Sequence, residues 1–140
     1  LTMGIPHRYV VDASVGVKWF APEEKGSKKA RFLLKEIRTR KAQVFVPAIF
    51  FYEVANALAR GKKFSPSQVN EALFALYETE LQVLDLDPGR IERSTYLMGK
   101  YNLTFYDAVY GAIAWEIQGP LYSADTKSHI KIEEITTQIV

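Results

Sequence analysis

Tyr9-Val10-Val11-Asp12-Ala13-Ser14 is an apolar, β-prone run that stops at a lone carboxylate and passes at once into small residues. A strand ending on an acid decides how the chain is read, because parallel α/β sheets bind their ligands in the crevice outside the carboxyl ends of the strands. Asp and Ser at a strand-to-helix junction are also ordinary helix caps. Taken alone, the stretch supports both readings equally.

Working outward from it, Val15 to Phe20 forms a short apolar turn or helix closed by Ala21-Pro22, and a longer helix is expected from near Glu23. Ala30, Leu33, Leu34 and Ile37 recur at helical spacing and give that helix one buried face. Val44-Phe45-Val46 reads as a second strand, with Pro47 opening the next helix rather than standing in mid-sheet. In that helix Phe50, Val54, Ala57 and Leu58 make an apolar stripe into which Glu53 falls, and Gly61 ends it. Ser65-Pro66-Ser67-Gln68 has the pattern of a capped helix start, with Val69, Leu73, Leu76 and Tyr77 as the core face. Leu81 to Leu86 reads as a third strand, and a helix from near Pro88 carries Ile91, Leu97 and Met98 and stops at Asn102. Thr104 to Trp115 is a helix apolar nearly all round, ended by Gly119-Pro120. Leu121-Tyr122 then repeats the opening design by running into Ser123-Ala124-Asp125, and Ile135 to Val140 supplies a last strand. Strands alternating with helices predict an α/β fold, a three-layer α/β/α sandwich around a central, mostly parallel sheet.

Composition sets the bounds. The 140 residues fit one domain, 1–140, and 48% hydrophobic with 24% charged residues suit a chain that buries a core. No apolar run approaches the ~18–20 residues that span a bilayer, and the first residues lack the pattern of a signal peptide. The expectation is a cytoplasmic protein with no membrane partner, whose residues 1–7 are a flexible or non-native extension. Without cysteine, and with only His7 and His129, a thiolate or histidine-rich zinc site is excluded, so any metal is expected on oxygen ligands. The net charge of +2 averages over unlike regions: Glu23 to Lys41 holds eight Lys or Arg against three Glu, a local +5. That stretch suits either a polyanion or a solvated helix face.

Four acids remain, each with an ordinary explanation. Asp12 can be a cap, Glu53 half of a buried ion pair, Asp107 the third residue of a Thr104-x-x-Asp107 capping box, and Asp125 a surface partner of Lys127. Together they are harder to explain so, because two follow strands and two lie near the starts of helices, which directs all four to one sheet edge. Clustered carboxylates raise one another's pKa and destabilise a fold unless a divalent cation offsets them. Oxygen ligands favour Mg²⁺ or Mn²⁺, and such a centre suits phosphodiester hydrolysis. No phosphate-binding glycine loop, dinucleotide turn or serine–histidine arrangement competes.

At this point a family resemblance is visible. Val11-Asp12-Ala13-Ser14 with Val17-Lys18-Trp19-Phe20, Glu53-Val54-Ala55-Asn56-Ala57-Leu58, Leu103-Thr104-Phe105-Tyr106-Asp107-Ala108 and Ser123-Ala124-Asp125 resemble, in order and spacing, the four acidic motifs of PIN-domain ribonucleases. Within them the chain is most similar to VapC-type toxins of toxin–antitoxin pairs. The resemblance implies a Mg²⁺- or Mn²⁺-dependent endoribonuclease acting on RNA, restrained by a VapB-type antitoxin and forming a homodimer. It implies Asp12, Glu53, Asp107 and Asp125 as catalytic metal ligands, and Ser14, Asn56, Ser123 and Thr126 as their supporting neighbours. Lys18, Lys28, Lys29 and Arg31 are the implied RNA contacts. Two other classes stay in view: a PIN-fold module that binds RNA or antitoxin without cleaving, and a phosphoacceptor receiver domain. The receiver fits poorly, since it needs an acid pair after its first strand.

Overall fold

Tyr9, Val10 and Val11 are buried to 2% exposure or less, as a strand covered on both faces requires. In the computed structural model, which describes residues 4–140, they belong to β1 (His7–Val11). β1 pairs with β2 (Ala42–Pro47) on one side and β4 (Leu121–Ser123) on the other. β3 (Gln82–Leu84) and β5 (Thr137–Ile139) complete the order β3-β2-β1-β4-β5, and every pairing is parallel. The expected mostly parallel sheet is thus entirely parallel over the described residues.

The helices follow from the crossovers. α1 (Ala13–Lys18) and α2 (Ser27–Arg38) join β1 to β2; α3 (Ile49–Arg60) and α4 (Pro66–Tyr77) join β2 to β3. α5 (Pro88–Tyr101) and α6 (Phe105–Ile117) carry the chain back to β4. Right-handed crossovers that run one way from β1 to β3 and then return put α1–α4 on one face and α5–α6 on the other. The packing agrees, with α3 against α1 and α4, and α5 against α6. The direction reverses between β1 and β4, the switch point where strand ends open a crevice. This order is not the 2-1-3-4-5 order of receiver domains, and that alternative falls.

The main core runs through the strands and takes in both helix layers, with Phe50, Val54 and Leu58 of α3 and Ile113 of α6 fully buried; burying each is worth about 1.5–3 kcal/mol. A smaller cluster of Leu97, Leu103, Ala108, Ala112 and Ile132 sits under α5 and α6. Ser65 and Gln68 form the expected reciprocal capping box, and Asn102 ends α5 in the left-handed conformation.

Some expectations need correction. α2 starts at Ser27 and not near Glu23, because turns occupy the preceding residues and Gly26, at φ 84°, sets the entry to the helix. Tyr77 is 80% exposed rather than in the core, since α4 packs on α3 and turns Ala72 and Leu76 inward. Pro47 closes β2, paired with Leu84, instead of opening α3. His7 opens β1 and so is not part of a flexible extension; residues 1–3 of that expected segment lie outside the described residues.

The turn into β4 passes close to β1. A Cβ on Gly119 would stand 2.2 Å from the Arg8 carbonyl oxygen, backbone against backbone. Gly119→Ala is therefore expected to destabilise the fold by about 2–3 kcal/mol, read as a lowered thermal unfolding midpoint; an unchanged midpoint contradicts this close approach.

Candidate active site

Asp12 is both cap and cluster member. It is the N-cap of α1, and its Oδ1 accepts from the Val15 N–H at 3.3 Å and from the Ser14 hydroxyl. Its Oδ2 accepts from the Ser123 hydroxyl at 2.5 Å, and only 4% of the residue is exposed. The two serines are held in turn from the end of β4. Ser14 Oγ accepts the Ala124 N–H at 2.8 Å, and Ser123 Oγ accepts the Asp125 N–H at 2.9 Å. A buried carboxylate with three donors is oriented before any ligand arrives.

Glu53 comes from α3 and meets the Tyr110 hydroxyl of α6, which donates to its Oε1 at 2.6 Å. The partner the sequence demanded is thus a neutral phenol, and Glu53 takes part in none of the ion pairs among the described residues. Burial raises the Glu53 pKa; the Tyr110 hydrogen bond works against that rise, while Asp107 and Asp12 add to it. Burial and the adjoining Glu53 push the Tyr110 phenol far above its usual range, so it stays a donor.

Asp107 starts α6. Thr104 Oγ1 accepts the Asp107 N–H at 3.1 Å, but the reciprocal bond from the carboxylate to the Thr104 N–H is not formed among the described residues. Half a capping box leaves the carboxylate free, with the side chain 32% exposed.

The residue that joins these acids is His129. It lies in a 3-10 turn, His129–Lys131, between β4 and β5 and is 2% exposed. Its Nδ1 is 3.2 Å from Asp12 Oδ2 and its Nε2 3.7 Å from Asp107 Oδ1, while the ring stands edge-on to Tyr110 at 5.8 Å. Neither nitrogen has a hydrogen-bond partner of acceptable geometry. Burial disfavours a charged ring, yet Asp12, then Asp107 and Asp125, outweigh it and hold the pKa above the ordinary histidine value. Sequence reasoning weighed the histidines only as too few for zinc and missed this one. The available signal was its place four residues after Asp125, in the segment leaving the β4 edge. Tyr110 was legible as the residue one helical turn beyond Asp107 on α6.

The remaining sequence candidates divide. Asp125 is half-buried, and burial raises its pKa; the Lys127 N–H, which donates to Oδ1 at 2.8 Å, and Ser128 outweigh that and lower it. Lys127 thus meets Asp125 through its backbone, and no ion pair joins their side chains among the described residues. Asn56 and Thr126 are exposed, and neither hydrogen-bonds an acid among the described residues, so the structure does not bring them to the cluster. The Lys18 ammonium is taken up by Glu24 at 3.2 Å and the Lys25 carbonyl at 2.5 Å, which removes it as a free phosphate contact. Lys28, Lys29 and Arg31 are exposed on α2. Tyr110→Phe should destabilise the chain by about 1–2 kcal/mol in a denaturant titration, because Glu53 loses its donor; no change would mean water replaces the phenol without cost.

A family model described as the PIN domain matches residues 9–134. The chain belongs to the PIN domain family. This PIN domain is similar in structure to a toxin–antitoxin complex from Klebsiella pneumoniae, with a TM-score of 0.69, 22% identity, and 94% of this chain and 99% of that one covered. It is also similar to PAE2754 from Pyrobaculum aerophilum, with a TM-score of 0.66, 23% identity and 95% and 92% covered. A third similar structure is Mycobacterium tuberculosis VapC20, a sarcin–ricin loop cleaving toxin, with a TM-score of 0.69, 13% identity and 88% and 94% covered. At such identities the likeness is one of fold. No curated protein matches the chain by sequence.

The carboxylate oxygens of Asp12, Glu53 and Asp107 are of the donor chemistry that a hard divalent cation takes. Among the described residues, no three His, Cys, Asp or Glu side chains are drawn tightly enough to hold an ion as they stand. Asp12 and Asp107 nevertheless flank a buried imidazole that has no hydrogen-bond partner, and both acids act on Glu53. One or two carboxylates with water completing the shell is the usual way that Mg²⁺ is held.

Proposed function

We propose that this PIN domain is a Mg²⁺- or Mn²⁺-dependent endoribonuclease, the toxin of a VapB–VapC-type pair in the cytoplasm. Most support comes from the juncture of Asp12 after β1, Glu53 on α3 and Asp107 on α6 at the switch-point edge of a PIN fold. When bound, the divalent ion supplies Lewis-acid activation of water and charge stabilisation at the phosphoryl group.

Everything else falls to the chain's own groups. Asp12, held by Ser14, Ser123 and the Val15 N–H, is a fixed ligand, and Asp107, with its carboxylate free of the cap, is the second. Tyr110 fixes Glu53 Oε1 and leaves Oε2 to accept a hydrogen bond from the attacking water and orient it. Asp125, whose Oδ1 already accepts the Lys127 N–H, completes the set of four acids. On α2, Lys28, Lys29 and Arg31 are exposed to meet RNA phosphates.

The partners in this reading are a VapB-type antitoxin and a second copy of the chain. A groove of about 380 Å³ lined by Trp19, Phe20, Leu34 and Thr79 and edged by Arg31, Lys35 and Arg38 suits an acidic segment with apolar anchors. The direct test offers the purified chain an RNA oligonucleotide and the DNA of the same sequence with Mn²⁺. Cleavage of the RNA alone is expected. Binding of RNA without cleavage would replace this reading with that of a silent PIN-fold module.

A further inference from the structure

We infer that a second copy of this chain docks on the apolar cleft where α3, β3 and α6 meet, with Tyr52 of each copy seated in the cleft of the other. The inference rests on the reading above that the chain pairs with itself, and adds the face through which it does so.

The cleft, of about 330 Å³, opens at the carboxyl ends of β2 and β3. Ala48 and Ile49 at the start of α3, Tyr106 and Val109 of α6, and Leu84 and Leu86 line it. Leu86 is 52% exposed and Tyr106 59%, so a lone copy leaves this apolar surface open to water. Tyr52 follows Ala48 by four residues and Ile49 by three, the two spacings that put side chains on one helix face. Helical side chains lean toward the N-terminus, which carries its ring toward the mouth of the cleft. That ring is 72% exposed and has no hydrogen-bond or aromatic partner among the described residues. One patch thus holds a hollow and, beside it, an unspent ring. A two-fold contact needs this pairing on a single surface, because what one copy inserts the other must receive.

Charge favours the same occupant. Arg90 is the one cation among the lining residues, and it is already committed. It donates twice to Glu116 at 3.0 Å and once to the Asp85 carbonyl at 2.8 Å, and it pairs with Asp87 at 3.1 Å. An RNA phosphate finds no free cation here. An acidic segment is better served by the groove that Arg31, Lys35 and Arg38 edge. Asp85, exposed, is the one lining charge without an ion pair among the described residues. Identical charged patches repel each other, so a nearly neutral apolar face with tyrosines on it suits a copy of itself. The contact also reaches the acids. Ile49 stands one helical turn before Glu53 and Tyr106 directly precedes Asp107, so a copy pressed into the cleft fastens the starts of both helices that carry them.

Sedimentation of the full chain over a dilution series reads the association, and hydrogen exchange reads the face. Expected is a dimer whose dissociation on dilution speeds exchange at residues 84–86 and 105–107. Exchange at 74–77 should not change; there Phe74 and Tyr77, 62% and 80% exposed on α4, make the rival apolar face. Tyr52→Asp and, separately, Leu86→Asp should each weaken self-association by about 100-fold or more, since each change counts twice across a two-fold axis. Tyr77→Asp should leave it as it is. All three side chains are more than half exposed, and circular dichroism checks that each variant folds. Should one of the first two fail to fold, the other and the exchange map decide. A dimer that survives either folded variant, or that comes apart with Tyr77→Asp, overturns this face and leaves self-pairing standing. Protection of 84–86 and 105–107 by an RNA oligonucleotide or an acidic peptide, with no change on dilution, gives the cleft to another partner and overturns it as well. A chain that stays monomeric at every concentration overturns both the face and the reading of a second copy on which it rests.

Discussion

Asp12→Asn should lower RNA cleavage by about 10³-fold, the rate equivalent of several kcal/mol of charge stabilisation at the scissile phosphate. The fold should survive, and the reason lies in the hydrogen bonds. An asparagine keeps an oxygen for the Val15 N–H and the Ser14 hydroxyl, so the cap on α1 persists. Its amide meets Ser123 Oγ and loses a charge-assisted bond there, while the like-charge repulsion on Glu53 is relieved. These effects oppose each other, and the stability change should stay within about 2 kcal/mol in a denaturant titration. Cleavage at an undiminished rate by Asp12→Asn would remove Asp12 from the chemistry. Collapse of the variant would make it a structural residue first.

Metal should also stabilise the protein. The acids are brought together only in the folded state, so a saturating ion that binds them there shifts the unfolding equilibrium by mass action. At a hundred times its dissociation constant this amounts to about 2.7 kcal/mol, or roughly 8–10 °C in the unfolding midpoint of a chain this size. Scanning calorimetry with and without Mn²⁺ reads the shift, and Asp107→Asn should abolish most of it. A midpoint indifferent to Mn²⁺ would mean that the acids hold no ion.

Much of this arrangement is legible in the sequence because it depends on local patterns. The unbroken apolar run before Asp12 marks a strand buried on both faces, and the Phe50, Val54, Leu58 stripe marks an inward helix face. Ser65 and Gln68 make their capping box without help from the rest of the fold. What escaped depends on the tertiary partner. Tyr77 fits the helical period of α4 but is exposed, because α4 lies on α3 and not on the sheet. Lys18 reads as a phosphate contact until the 21–26 turns bring Glu24 and the Lys25 carbonyl to its ammonium.

The site shows the same division. Asp12, Glu53 and Asp107 stand out because a carboxylate in an apolar setting needs a reason. Asn56 sits one turn from Glu53, and the sequence does not reveal that this turn carries it to the outer face of α3. His129 escaped for the opposite reason. Its neighbours mix Ile130 and Ile132 with Lys127 and Lys131 and give no helix or strand period that would mark it as buried, and only the pairing of β4 with β5 folds its turn over the acids.

Cleavage of a fluorescent RNA by the purified chain, stripped of metal and then resupplied, tests the central claim most directly. The account predicts no cleavage in excess chelator and recovery on adding Mn²⁺ to the unmutated chain but not to Asp12→Asn. Equal cleavage in the presence of chelator would contradict it.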